Sequence, residues 1–133
     1  MKLGCALLYV KDLPRMRQFY ENILNVRPVN TQWPENWALF DLGGAEFALH
    51  AIPQEAAPSL PSAPPAAVRE HSAVKLVFHV ENVPVQRARL ESMGVPMLQR
   101  TWQNPEESCD GVDPEGNVFQ IAAVKSWSSL AGR

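Results

Sequence analysis

A handful of side chains carry most of the chemistry this sequence can offer. His50 and His79 are imidazoles, each able to act as a general base near neutral pH or to ligate a metal. Cys5 is a thiol with a preference for softer metals. Lys75 is an ammonium that could clamp an anion or, if burial lowered its pKa, attack a carbonyl. Gln120 offers hydrogen bonds without charge, and Tyr9 a ring with a hydroxyl. Each has a plainer reading beside the chemical one: a satisfied or rim-exposed histidine, a cysteine acting as a small buried hydrophobe, or a lysine whose ammonium reaches water or Glu46. Gln120, in the same spirit, could simply satisfy polar neighbours in a partly wet interior. As catalytic groups only His50 and His79 are candidates, and His71, next to a proline-rich stretch, is expected on the surface.

These residues have to be positioned by regular elements, and the pattern supplies them. "KLGCALLYV" is apolar enough for a buried strand and stops at Asp12, a good helix N-cap. "LPRMRQFYENIL" then puts Leu13, Met16, Tyr20, Ile23 and Leu24 on one helical stripe, and Asn25 tolerates a left-handed ending. "VRPVNT", "NWALFDL" and "AEFALHAI" read as strands, the last two joined by a Gly43-Gly44 hairpin, which gives the order βαβββ. Beyond a connector with five prolines at residues 53–67, "AVKLVFHV" predicts a strand. "NVPVQRARLESM" predicts a helix capped by Asn82 and closed by Gly94, and three short strands follow as far as Val124. The expected layout is a single domain over residues 1–133: one module at 1–52, a Pro/Ala-rich connector at 53–70, a second module at 71–124 and a polar tail at 125–133.

The two modules repeat in letters as well as in order. "YVKDLP" at 9–14 answers "HVENVP" at 79–84, while Gly44 and Phe47 answer Gly116 and Phe119. Period-2 alternation then sets the strand faces. Cys5, Leu7 and Tyr9 share one face, as do Glu46, Ala48 and His50; Lys75, Val77 and His79; and Val118, Gln120 and Ala122. The opposite faces, including Val10, Phe47, Leu49, Phe78, Phe119 and Ile121, are apolar and should meet the helices.

Composition narrows the partners. A chain of 133 residues with 46% apolar content is enough for one compact core. A net charge of −2 without a Lys/Arg run speaks against nucleic acid and against an acidic membrane surface. Two distant cysteines imply no disulfide framework and fit a reducing cytoplasm. No signal-type apolar run follows Lys2, and no stretch approaches the roughly 18 apolar residues of a membrane span. A cytoplasmic protein is expected.

"LLYVKDLPRMRQFYENILNV" and the turn "DPEGNVFQI" resemble the vicinal oxygen chelate superfamily, which includes glyoxalase I, fosfomycin-resistance enzymes, extradiol dioxygenases and bleomycin-resistance proteins. The resemblance covers nearly the whole chain and departs from the family at Asn25, where Gly is usual. It implies an α+β fold of two βαβββ modules whose mixed sheets curl into a cup, completed by pairing within one chain or by exchange between two, and a homodimer is expected. In metal-dependent members, side chains from the modules' first and last strands converge on a divalent ion. Those positions fall here at Cys5, Ala48, Lys75 and Gln120.

This donor set is poor. Lysine offers three donors and no acceptor, alanine offers nothing, glutamine is a weak neutral oxygen, and only the thiol is a strong ligand. No metal or other cofactor is therefore expected. The expected partner is a small organic molecule, bound as in bleomycin-resistance proteins by sequestration, with Cys5, Tyr9, Ala48, His50, Lys75, Val77, His79 and Gln120 lining the cup. The alternatives are a metal-dependent lyase, isomerase or dioxygenase of the same superfamily, and metal-free acid/base catalysis by His50 or His79. Trp33, Trp37 and Trp102 could cover a planar ligand or anchor a subunit contact. Trp127, in the tail, is expected to be loosely held.

Overall fold

The computed structural model describes residues 1–53, 68–130 and 132, so most of the proline-rich connector lies outside the described residues. The chain divides into two compact units, Met1–Ala66 and Ala67–Arg133.

In the first unit β1 (Cys5–Val10) leads into α1 (Leu13–Leu24), then β2 (Trp37–Asp41) and β3 (Glu46–Ala51). The helix begins where Asp12 accepts the Arg15 N–H at 3.2 Å, which satisfies one otherwise orphaned donor of the first turn. It ends at Asn25, whose φ of 56° and ψ of 39° fill the left-handed place that glycine commonly takes. β3 lies between a parallel β1 and an antiparallel β2. Side chains alternate as the pattern requires. Val10, Phe40, Phe47 and Leu49 are buried with Leu13, Met16 and Tyr20 of α1, and the Tyr20 and Phe47 rings meet edge-on at 4.9 Å between centroids. Each such fully buried side chain contributes about 1.5–3 kcal/mol of transfer free energy.

The strand expected at "VRPVNT" does not form. Pro28 has no N–H to give to a ladder. The Val29 N–H bonds the Leu39 carbonyl at 2.7 Å, while Asn30 uses its side chain where backbone would pair: its Oδ1 accepts from the Leu39 N–H and its Nδ2 donates to the Trp37 carbonyl. Trp33, 62% exposed, follows at a left-handed φ of 49°, a conformation costing a bulky L-residue on the order of 1–2 kcal/mol.

In the second unit β4 (Leu76–Val80), α2 (Val83–Ser92), β5 (Met97–Leu98), β6 (Ser108–Val112) and β7 (Val118–Ala123) are followed by α3 (Val124–Leu130). The sheet order is β4-β7-β6-β5, with β4 parallel to β7 and the remaining pairs antiparallel. Asn82 caps α2 by accepting the Val85 N–H at 2.9 Å, and Gly94 follows the helix at φ 82°. Asp113 folds the β6–β7 turn by accepting from the Glu115 and Asn117 N–H groups, with Gly116 left-handed.

The repeat extends to register. Ala6 pairs with Phe47 in the first sheet as Leu76 pairs with Phe119 in the second. The tail differs from expectation: instead of a polar end it opens with α3, which packs on β7 and brings Trp127 to 5.6 Å from the His79 ring. No helix among the described residues is long and apolar enough to cross a membrane.

Candidate functional site

The strand faces expected from alternation carry the candidate residues, divided between the two sheets. On the first sheet Cys5 is opposite Glu46, Leu7 opposite Ala48 and Tyr9 opposite His50, so all lie on the face turned away from α1. Tyr9 is 61% exposed and meets the His50 ring edge-on at 5.7 Å. His50 is half-buried and its Nδ1 lies 2.9 Å from the Ala51 carbonyl. Ala48, flanked in register by Leu7 and Leu39, has no exposed surface.

Cys5 is exposed, not a buried hydrophobe. Its thiol donates to the Ala6 carbonyl at 3.4 Å. Desolvation, and after it the Glu46 carboxylate, pushes the thiol pKa up, against a smaller lowering by the Ala48 backbone. A thiol so held stays protonated at neutral pH, which makes it a poor nucleophile and a poor metal ligand.

On the second sheet Val77 and Asp110 both pair with Gln120, and His79 with Ala122, so these side chains share a face. The group sequence reasoning missed is Asp110. It has no exposed surface, yet its carboxylate is fully partnered: Lys75 Nζ donates to Oδ2 at 3.0 Å, Arg100 Nε to the same oxygen at 3.1 Å, and Gln103 Nε2 to Oδ1 at 2.8 Å. Arg100 also donates from Nη2 to Glu70 at 2.8 Å, and its backbone N–H bonds Gln103 Oε1 at 3.0 Å. The bond to Asp110, ahead of the one to Glu70, holds the Arg100 pKa above its ordinary value.

Lys75, just ahead of β4, therefore has its own protein partner in Asp110. Its side chain remains 39% exposed, so the ammonium reaches both the carboxylate and solvent. A sequence signal for Asp110 did exist. The "DPEGN" turn joins Val112 to Val118, and counting two residues away from the turn along each strand sets Asp110 against Gln120. The partners from Lys75 and Arg100 depend on side-chain reach, which no spacing encodes.

Trp37 is in β2, half-buried, and donates from Nε1 to the Gln32 carbonyl at 3.3 Å. Trp102 is 78% exposed. His71 is exposed, as expected.

A family model for the Glyoxalase/Bleomycin resistance protein/Dioxygenase superfamily matches residues 2–121. The chain belongs to that superfamily. Glyoxalase I from Leishmania major is similar at a TM-score of 0.73 and 16% identity, over 99% of this chain and 93% of that one. The fosfomycin resistance protein FosX from Listeria monocytogenes follows at 0.70 and 18%, over 99% and 98%. Lactoylglutathione lyase from Agrobacterium tumefaciens has a TM-score of 0.67 at 23% identity, over 95% and 96%. A variant of the Listeria FosX was solved with Mn(II) and 1S,2S-dihydroxypropylphosphonic acid. At these identities the likeness shows the fold, and no curated protein matches significantly.

The superfamily includes metal-dependent members, so the donor chemistry at the four corresponding positions matters. It does not fit a divalent ion. Cys5 holds a thiol whose pKa is raised, Ala48 a methyl group, Lys75 an ammonium bonded to Asp110, and Gln120 a neutral amide. Among the described residues no group of three or more His, Cys, Asp or Glu is placed to hold a metal ion.

Proposed function

We propose that this superfamily member binds a small organic molecule carrying an acidic or carbonyl group, and that it does so without a divalent metal. The observation that carries the reading is Lys75, a cation in a position where metal-dependent relatives would hold a ligand, fixed by a wholly buried Asp110 beside Gln120. The ammonium spends one of its three donors on Asp110 and can give another to an oxygen of a bound molecule, but it offers no lone pair to a metal. Gln120 adds an amide that can donate to or accept from the same molecule. Val77 and His79, on the same face of the second sheet, would form the surrounding surface. The mode is sequestration, and a role in resistance to a toxic small molecule is consistent with the superfamily's name.

The test combines elemental analysis of the purified protein with a thermal-shift screen of organic acids against their neutral analogues. The expected result is no stoichiometric Mn, Fe, Ni or Zn, stabilisation by acids, and loss of that stabilisation in Lys75→Ala and Gln120→Ala. Tight stoichiometric metal, or acids that bind both variants unchanged, would overturn it. Within the second unit, the combined Lys75→His and Gln120→Glu variant should gain divalent-metal affinity, with Arg100 and Gln103 still holding Asp110.

A second reading, a metal-dependent lyase, isomerase or dioxygenase, is favoured by one observation, the Mn(II) in the FosX structure of similar fold. The same elemental analysis separates the two. We also propose a homodimer acting in the cytoplasm. Leu7 and Tyr9, 48% and 61% exposed on β1, offer apolar surface that a second chain would cover, and light scattering of the eluted protein tests the assembly.

A further inference from the structure

A cleft of about 510 Å³ opens in the first unit between α1 and the chain that runs from Arg27 to Ala38. None of the residues expected from the sequence to line the cup borders it, although Trp37, a possible cover for a planar ligand, does. Its walls take Arg17 and Glu21 from α1, Arg27 and Asn30 from the segment after the helix, and Pro34 and Trp37 from the turn into β2. The volume is within the ~300–1,000 Å³ range usual for small-molecule sites.

Most of the wall's polar groups are already committed to one another. Asn30 spends both ends of its amide on the Gln32 and Trp37 carbonyls and on the Leu39 N–H. The Trp37 indole N–H is given to Gln32. The left-handed Trp33 shapes a turn in which its carbonyl accepts from the Asn36 and Trp37 N–H groups. In the same turn the Pro34 carbonyl takes a 3.3 Å bond from Arg17 Nη1.

The charges are different. Arg17 gives the protein only that single Nη1 bond among the described residues, so the rest of its guanidinium is uncommitted. Arg27 and Glu21 have no hydrogen-bond or ion-pair partner among the described residues. Arg17 and Glu21 are four apart on α1 with the base N-terminal to the acid, the weaker orientation for a helical ion pair. Two guanidinium groups and a carboxylate thus line one cleft without neutralising each other.

We propose that this cleft binds a small zwitterion with one excess acid group, of the class of acidic amino acids. Arg17 and Arg27 take the carboxylates, for which the planar guanidinium fork is suited, and Glu21 takes the ammonium. The carbon chain lies along the Trp37 ring. The lining carries one more positive than negative charge, which matches a ligand of net charge −1. Asn30 and the Trp33 turn are positioning groups that hold the wall and keep Arg17 in place.

The test follows the Trp37 indole resonance by NMR while L-glutamate or glutarate, the same diacid without the ammonium, is added to the full chain. Glutamate should shift the Trp37 signal and bind about tenfold more tightly than glutarate. Glu21→Gln, which keeps size and helix propensity, should abolish that preference by weakening glutamate without weakening glutarate, whose second negative charge loses a repulsive neighbour. Arg27→Ala, at an exposed position after the helix, should weaken both ligands about tenfold without changing the amide spectrum of the β-sheet core. Equal affinity for the two diacids, or no shift at Trp37 with either, would overturn the proposal.

Discussion

Replacing Asp110 by Asn is the sharpest test of the network beneath Lys75. The substitution keeps side-chain volume but removes the charge and one acceptor. Oδ2 now takes two donors, from Lys75 and Arg100, and Oδ1 takes a third from Gln103. An asparagine has one carbonyl oxygen, so whichever way its amide turns, its NH2 faces at least one N–H donor. The better choice points the oxygen at the two cations and breaks the bond to Gln103, whose own Oε1 is occupied by the Arg100 N–H.

The cost follows from the burial of each partner. A hydrogen bond to a charged group is worth about 1.5–3 kcal/mol, and removing one member of a buried pair costs about 3–5 kcal/mol. Lys75 is 39% exposed and recovers much of its loss from water, whereas Arg100, at 18%, recovers less and keeps only Glu70. Discounting for that screening gives about 3 kcal/mol for Asp110→Asn, or a fall of about 10 °C in Tm. Urea unfolding monitored by circular dichroism measures it, and double-mutant cycles with Lys75→Met and Arg100→Met divide it. Coupling should be larger with Arg100 than with Lys75. A total cost under about 1 kcal/mol, or a larger coupling to Lys75, would refute the reasoning.

Burial, ahead of the charges of Asp110 and Glu91, pushes the Cys109 thiol up, while Arg87 pulls against it. The folded chain therefore keeps this proton at pH values where the unfolded chain has released it, so the stabilisation is full below the ordinary thiol range and is lost as pH rises through the folded value. Urea midpoints measured from about pH 7 to 10 should fall in a Cys5→Ala background, which removes the other raised thiol, and the Cys109-dependent part of the fall should vanish on adding Cys109→Ala. Gly111→Ala would set a methyl group within 2.9 Å of Phe119 Cε1 in the core, and a loss of about 1–3 kcal/mol by thermal unfolding is expected; a change under about 0.5 kcal/mol would mean the ring has room to move. Asp12→Ala and Asn82→Ala each remove an N-cap and should each cost about 1 kcal/mol by the same assay, with helix content falling locally by NMR.

Most of the architecture was legible because the devices that make it are local. Asp12 and Asn82 as caps, Asn25 and Gly94 as helix endings, Gly43 in the β2–β3 hairpin and the Asp113 turn all act within a few residues of themselves. α1 was read to its ends for that reason. Two features were not legible. At "VRPVNT" an apolar-alternating run reads as a strand, but Pro28 lacks the N–H and Asn30 makes the pairing with its side chain. At the tail, α3 carries no N-cap signal and depends on packing against β7. The candidate site was legible only by face: alternation placed Gln120, Val77 and His79 together, whereas the carboxylate that governs Lys75 lay on a strand 35 residues away.

The same separation between backbone devices and side-chain chemistry is visible between the two units. Ala48 and Gln120 occupy equivalent places, opposite Leu7 and Val77 on parallel partner strands, and Phe47 and Phe119 occupy equivalent core places one residue earlier. The core places hold the same side chain because both sheets must bury a ring against their helices. The places on the other face hold a methyl group and an amide, so there the two units do not share a side chain. Cys5 and Lys75 repeat the contrast, a protonated thiol in one unit and an ammonium tied to Asp110 in the other. None of these four groups needs the others for the strands to pair, so the fold can persist whatever chemistry occupies them. The superfamily name therefore carries the fold much further than it carries the chemistry of any ligand.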